Sequence, residues 1–167
     1  MKDCLRIVAD TRERLPYEFN SGSVYDGTTV EQKALLIGDY SLSGLEHLVA
    51  VERKSLPDLV LCLGRERDRF EREMLRAQGL QAFAVVVEGT FYELAHGDYR
   101  SQLNPHAAVQ SVAAFMARMR VPFVFAGSRD AAMYAVWSFL HQFVQGKRKE
   151  LKAIEKSLGL QKKASVA

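Results

Sequence analysis

Gly38-Asp39-Tyr40-Ser41-Leu42-Ser43-Gly44-Leu45-Glu46-His47-Leu48-Val49-Ala50-Val51-Glu52-Arg53-Lys54 decides the fold. Asp39 to Leu42 forms one short strand, Ser43-Gly44 a turn, and His47 to Lys54 the returning strand, with Leu48-Val49-Ala50-Val51 as its apolar part. Side chains alternate along a strand, so Glu52 and Lys54 share one face and Arg53 points away. The hairpin can bring Asp39 beside Glu52. Two carboxylates and an amine then converge at one end of a sheet.

Upstream, Leu5-Arg6-Ile7-Val8-Ala9 predicts a buried strand ending at Asp10, residues 11–28 a loop, and Thr29 to Ile37 a strand closed by Gly38. Downstream, Ser55 opens a helix with Pro57 in its first turn and Asp58 near its positive end. That helix runs to about Ala77, with a possible break at Gly64 and a stop at Gly79. Ala82 to Val87 is a wholly apolar strand. Asn104-Pro105 caps a helix to about Arg120, and Pro122 to Phe125 is a last strand. Ser128 caps a helix to Gln145, and Gly146 is expected to separate it from a basic helix ending near Leu158. Strands first, then helices alternating with strands, predict an α/β domain: a mixed central sheet covered by helices on both faces. The expected division is a domain over residues 1–146, then a basic helix and frayed tail over 147–167.

With 167 residues, 48% hydrophobic and 26% charged, the chain suits one globular domain rather than two or a disordered segment. No apolar run approaches the ~20 residues that span a bilayer, and Met1 to Leu5 holds no apolar stretch of a signal peptide, so no membrane partner is expected. Cys4 and Cys62 sit among aliphatic residues and are expected to be buried thiols in a reducing compartment. The four histidines lack metal-ligand spacing, and no Gly-rich phosphate loop is present, so no nucleotide cofactor is expected. Net charge is only +3, but its distribution says more: five arginines between Gly64 and Arg76, and Lys147, Arg148, Lys149, Lys152, Lys156, Lys162 and Lys163 in the last third. A weakly basic total can hide a basic face beside an acidic pocket.

Asp39, Glu52 and Lys54 suit phosphodiester cleavage. Two carboxylates can hold Mg²⁺ or Mn²⁺, which prefer oxygen ligands. Such an ion lowers the pKa of its bound water and stabilises charge on the phosphate. Lys54 could orient or deprotonate the attacking water, or neutralise phosphate charge. The bland alternative is a solvated, charged strand end. Glu31-Gln32-Lys33 and Gly97-Asp98-Tyr99 repeat pieces of the pattern, yet neither has a second acidic partner in place. On a helical wheel Arg65, Arg69, Arg72 and Arg76 fall within about 60° of each other, while Leu63, Phe70 and Met74 mark the opposite side and Arg67 lies with them. The outer stripe either contacts DNA phosphates or is a solvated face with Glu66 and Glu73 as partners.

Gly38-Asp39-Tyr40 followed by Val51-Glu52-Arg53-Lys54-Ser55-Leu56-Pro57-Asp58-Leu59 closely resembles the signature of XPF-type structure-specific endonuclease domains, a branch of the restriction-endonuclease-like fold. That pattern is Gly-Asp-Tyr, a hairpin, then Glu-Arg-Lys-x-x-x-Asp, and Asp10-Thr11-Arg12-Glu13 matches its opening strand end. Motifs cover residues 5–90. The resemblance implies a DNA endonuclease with Asp39 and Glu52 as metal ligands, Lys54 as the catalytic lysine and Asp10 completing the acidic cluster. Arg12, Glu13, Arg53, Asp58 and Arg67, which falls on the family's arginine by ungapped counting, would support the site. Because alternation turns Arg53 away from Glu52, it is expected to pair with Glu13 or Asp58.

Many relatives carry a helicase or a tandem helix-hairpin-helix module, and neither fits the 22 residues after Gln145. Preference for flaps or forks would then come from a dimer or a partner protein. Dimerisation is the family habit. The stripe of Met133, Trp137, Leu140 and Val144, with Tyr134, Phe139 and Phe143 beside it, would cover either a second copy or the chain's own core. A silent DNA-binding scaffold and another nuclease of the same wider fold are the rival functions. The architecture suggests a cytoplasmic prokaryotic or phage protein, or a nuclear one if eukaryotic.

Overall fold

A computed structural model describes residues 4–20 and 22–160. Six strands form one sheet: β1 (Arg6–Ala9), β2 (Thr29–Gln32), β3 (Tyr40–Leu42), β4 (Val49–Ser55), β5 (Ala82–Glu88) and β6 (Phe123–Phe125), in the order β2-β1-β3-β4-β5-β6. β3 runs antiparallel to both β1 and β4, while β1–β2, β4–β5 and β5–β6 are parallel. The sheet is therefore mixed, with its antiparallel hairpin at the centre. Helices α1 (Leu56–Leu63), α2 (Arg67–Ala77), α3 (Phe91–His96) and α4 (Pro105–Met119) follow in turn, and α5 (Arg129–Ser157) ends the described chain.

Two apolar cores, one on each face, explain why β5 is apolar on both sides. Leu59, Phe70, Val85, Val87, Val112 and Phe115 belong to the core under α1, α2 and α4. Ile7, Tyr40, Val51, Val86, Val136, Trp137 and Leu140 belong to the core under α5. Local chemistry sets the helix ends. Ser55, Asn104 and Ser128 each accept a hydrogen bond from the backbone N–H three residues on, satisfying an orphan donor of the first turn. Gly64 separates α1 from α2.

Four expectations need correction. β2 stops at Gln32 rather than Ile37, because after Lys33 N–H donates to Ala9 O the chain turns to give Leu35 N–H to the Asp10 carboxylate. α5 runs through Gly146 without a break: one glycine costs a helix only about 1 kcal/mol, and good helix formers follow it. Cys62 is buried as expected, but Cys4 is exposed, since alternation places it on the side of exposed Arg6, opposite Leu5 and Ile7. α3 was not foreseen, although Thr90 and Glu93 form a reciprocal capping box at its start. The tail expected over residues 161–167 lies outside the described residues.

Candidate active site

The β3–β4 hairpin pairs Tyr40 with Val51, which sets Asp39 opposite Glu52. Asp39 N–H donates to Val51 O at 2.9 Å, and Arg53 N–H donates back to Asp39 Oδ2 at 2.8 Å. The carboxylate is thereby bound to the backbone of the strand that carries Glu52 and Lys54. Gly38 makes this close approach possible. Its φ is +76°, and a Cβ there would stand 3.0 Å from Ala50 Cβ and from Val51 O. Tyr40 lies on β3, an interior strand. Its ring is fully buried, stacks on Tyr17 at 5.0 Å between centroids, and its hydroxyl accepts the Tyr17 N–H.

Asp39, Glu52 and Lys54 line one cavity of about 230 Å³ with Arg12, Arg69, Glu73 and Arg76. Burial first, then the negative charge of Glu52, pushes the Asp39 carboxyl up to about 7. Lys54 Nζ donates to Glu52 Oε1. Burial alone would pull the Lys54 ammonium down, but the Glu52 carboxylate outweighs it and holds the net pKa above the ordinary value. Lys54 is therefore a fixed cation at neutral pH.

Arg53 turns to the other side of the strand, as alternation requires. Its Nε and Nη2 donate to Glu13 at 2.8 and 3.2 Å, and its Nη1 lies 3.1 Å from Glu88. Burial pushes the Glu13 carboxyl up, but the Arg53 hydrogen bonds outweigh that and leave it below its ordinary range. Glu88 was not anticipated. It also receives Tyr17 Oη at 2.7 Å and Arg129 at 3.0 Å, joining β5 to the loop after β1 and to the start of α5. Only an acidic residue closing an otherwise apolar strand hints at it in sequence.

The remaining expected residues divide. Asp10 is 1% exposed, and its carboxylate takes Arg12 N, Nε and Nη2 together with Leu35 N. It organises the loops beside the cavity rather than facing into it. Asp58 is exposed and bonded to Ser55 Oγ as part of the α1 cap. Arg67 lies on the inner side of α2 as the wheel predicts, but it serves α4: Nη1 donates to Ser111 Oγ at 2.7 Å and the guanidinium stands 5.5 Å over Phe115. Arg69, two residues on, is the arginine that reaches the acidic cavity. Of the outer stripe, Arg69 and Arg76 line that cavity, Arg65 lines a separate groove with Arg100 and Tyr99, and Arg72 is exposed. Glu73, offered by the sequence as a partner of these arginines if the stripe is a solvated face, does act on Arg69, while its Oε2 is buried against the cavity with no hydrogen-bond partner among the described residues.

Oxygen donors on two facing, partly buried carboxylates fit a hard divalent cation, which would relieve the repulsion between Asp39 and Glu52. Asp39 and Glu52 are the residues that would hold it. Among the described residues no three of His, Cys, Asp or Glu are close enough together to do so by themselves. Asp10 does not complete such a group.

A model of the ERCC4 domain matches residues 9–136. The fold is shared with XPF from Aeropyrum pernix: TM-score 0.64, 22% identity, 82% of this chain and 60% of that one covered. XPF from the same organism in complex with DNA gives TM-score 0.65 at 20% identity, with 85% and 66% covered. The chain thus spans a little under two thirds of those proteins. No curated protein matches it significantly in sequence.

Proposed function

Because the chain belongs to the ERCC4-domain family of DNA nucleases, we propose that it is a Mg²⁺- or Mn²⁺-dependent endonuclease that hydrolyses DNA phosphodiester bonds at flaps, forks or other branched structures. One observation carries this reading: Asp39, Glu52 and Lys54 share a small polar cavity whose rim carries Arg69 and Arg76. A bound divalent cation would supply a stabilising charge to the scissile phosphate. The chain's own residues supply the rest. Lys54, pinned by Glu52, presents a permanent positive charge to the reacting phosphate and a donor to the attacking water. Arg69 and Arg76 offer guanidinium forks to flanking phosphates, Arg72 lies exposed on the same helix, and Arg65 lines the neighbouring groove. Arg12 also lines the cavity, fixed by Asp10.

Association with a second copy or a partner protein belongs to the same proposal. Trp137 and Leu140 are spent on the chain's own core and Phe139 and Phe143 pack against it, but Leu151 and Ile154 on α5, with Leu158 at its C-cap, are exposed apolar residues farther along. Sedimentation at micromolar concentration tests this, and a monomer would remove it.

Cleavage of labelled flap, fork and linear duplexes with Mg²⁺ or Mn²⁺ tests the main reading. Wild type is expected to cut, branched substrates fastest, and Asp39→Asn and Glu52→Gln are expected to abolish cutting. A folded wild type that cuts none of them would make the chain a silent DNA-binding scaffold.

A further inference from the structure

The groove that Arg65 lines with Tyr99 and Arg100 has a volume of about 1040 Å³, against about 230 Å³ for the cavity of Asp39 and Glu52. The two are joined. A third depression shares Arg12, Asp39, Lys54 and Arg69 with the cavity, and Asp58 and Leu61 with the groove. One concave surface therefore leads from the acidic pair, over the Asp58 and Leu61 ridge of α1, to the loop between α3 and α4. That loop is fixed at both ends. Tyr99 and Leu103 pack against the core under α1, α2 and α4, and Tyr99 Oη donates to Leu103 O at 3.0 Å. Arg100 lies between these anchors and is exposed. Arg65 lines the same groove from the turn between α1 and α2. Neither arginine has an ion pair or hydrogen bond among the described residues, whereas Lys54, Arg12 and Arg69 beside the cavity are each paired with a carboxylate. The acidic residue of the groove, Asp58, accepts from Ser55 Oγ. Pro57, Leu61, Tyr99 and Leu103 supply apolar wall, with Leu61 40% exposed.

We propose that this groove holds an unpaired DNA strand leaving the cleavage site, with Arg65 and Arg100 on its phosphates and the apolar wall against its bases. The proposal rests on the DNA-cleaving reading above and names the part of a branched substrate that the chain itself would recognise. A duplex keeps its base faces stacked inside, so an apolar wall gains little from it. A single strand presents those faces, and they bury favourably on apolar and aromatic side chains while cations track the backbone. The volume stands at the upper end of the ~300–1,000 Å³ of clefts that enclose a whole small ligand, room for more than one nucleotide. Arg65 and Arg100 are on this account specificity-determining residues. They favour a substrate whose unpaired arm reaches the groove over a linear duplex, which has no such arm.

Fluorescence anisotropy of a labelled oligo-dT strand and of a blunt duplex of equal length, both in EDTA so that nothing is cut, tests the proposal on the whole chain. Arg65→Ala combined with Arg100→Ala is expected to weaken binding of the single strand roughly 10-fold and to lower the slope of log affinity against log salt by about 1.4, at ~0.7 for each phosphate contact on a single strand. The duplex should lose less than the single strand. Lysine at both positions should recover part of the loss. Leu61→Ser should weaken the single strand several-fold and spare the duplex, since it removes apolar wall and no charge. Both arginines lack partners in the fold, so the double variant should melt with wild type. Equal losses on single strand and duplex overturn the proposal, by making the arginines a general phosphate patch. Wild-type-like binding of the single strand by the double variant overturns it as well and leaves the nuclease reading standing. A wild type that cuts no DNA, yet binds the single strand through Arg65 and Arg100, keeps the strand site and loses the nuclease reading.

Discussion

Asp39→Asn should make the metal-free protein more stable while destroying its activity. The Asp39 carboxyl titrates near 7 in the folded chain against an ordinary value of 3.8, because it is buried and faces Glu52. Between those pH values the folded chain keeps a proton that the unfolded chain has released, so stability falls as pH rises through the window. Below about 3.8 the penalty is absent, and above about 7 it is fully present. A displacement of about 3 pH units at 1.36 kcal/mol per unit sets a ceiling of roughly 4 kcal/mol. An asparagine keeps the geometry, since its carbonyl oxygen can still accept the Arg53 N–H. Urea unfolding in EDTA, followed by the fluorescence of the single tryptophan, Trp137, reads the difference. At pH 8.5 the variant should gain roughly 2–4 kcal/mol over wild type, and at pH 4 the two should nearly coincide. Saturating Mn²⁺ should narrow the gap by stabilising only the wild type. An equal or lower stability at pH 8.5, or the same gain at both pH values, would refute the electrostatic account of the site.

Arg53→Ala leaves Glu13 without its ion-pair partner and Glu88 with Arg129 alone, and should cost roughly 3 kcal/mol, measured as a urea midpoint at pH 7. Unchanged stability and cleavage would remove Arg53 from the supporting set. Gly38→Ala places a side chain in a left-handed conformation against Ala50 and Val51, and should lower stability by about 1–3 kcal/mol. Cleavage should slow with it, because Asp39 is the next residue. Gly146→Ala meets nothing within 4 Å and should strengthen α5 by about 0.5–1 kcal/mol, seen as slower amide exchange in residues 147–157.

The hairpin was legible because two-residue alternation, a glycine and a turn leave little freedom: once Glu52 and Lys54 face one way, Arg53 must find its carboxylate on the other, and it finds Glu13. The helix starts were legible for a similar reason, since a cap is a local chemical act by one side chain. What escaped depended on azimuth or on partners far away in sequence. Ungapped counting carried the family arginine to Arg67, and the wheel placed it on the inner side correctly, but there it meets Ser111 and Phe115 of α4, while Arg69 lines the acidic cavity. Asp10 looked like a ligand because nothing in its neighbourhood announced that Leu35, 25 residues away, would claim its second oxygen. The Thr90-x-x-Glu93 cap of α3 was readable and overlooked, because the helix it starts is only six residues long.

The 29-residue α5 is roughly 43 Å long, and its buried residues end at Leu140. Its first half is pinned to the sheet and supplies a ready-made nucleus, so the half beyond Gly146 grows by propagation alone. A free peptide of that length would be only marginally helical in water. The exposed half should consequently unzip from its far end as temperature rises, well before the sheet gives way. The cooperative unit of this protein would then stop partway along its longest helix.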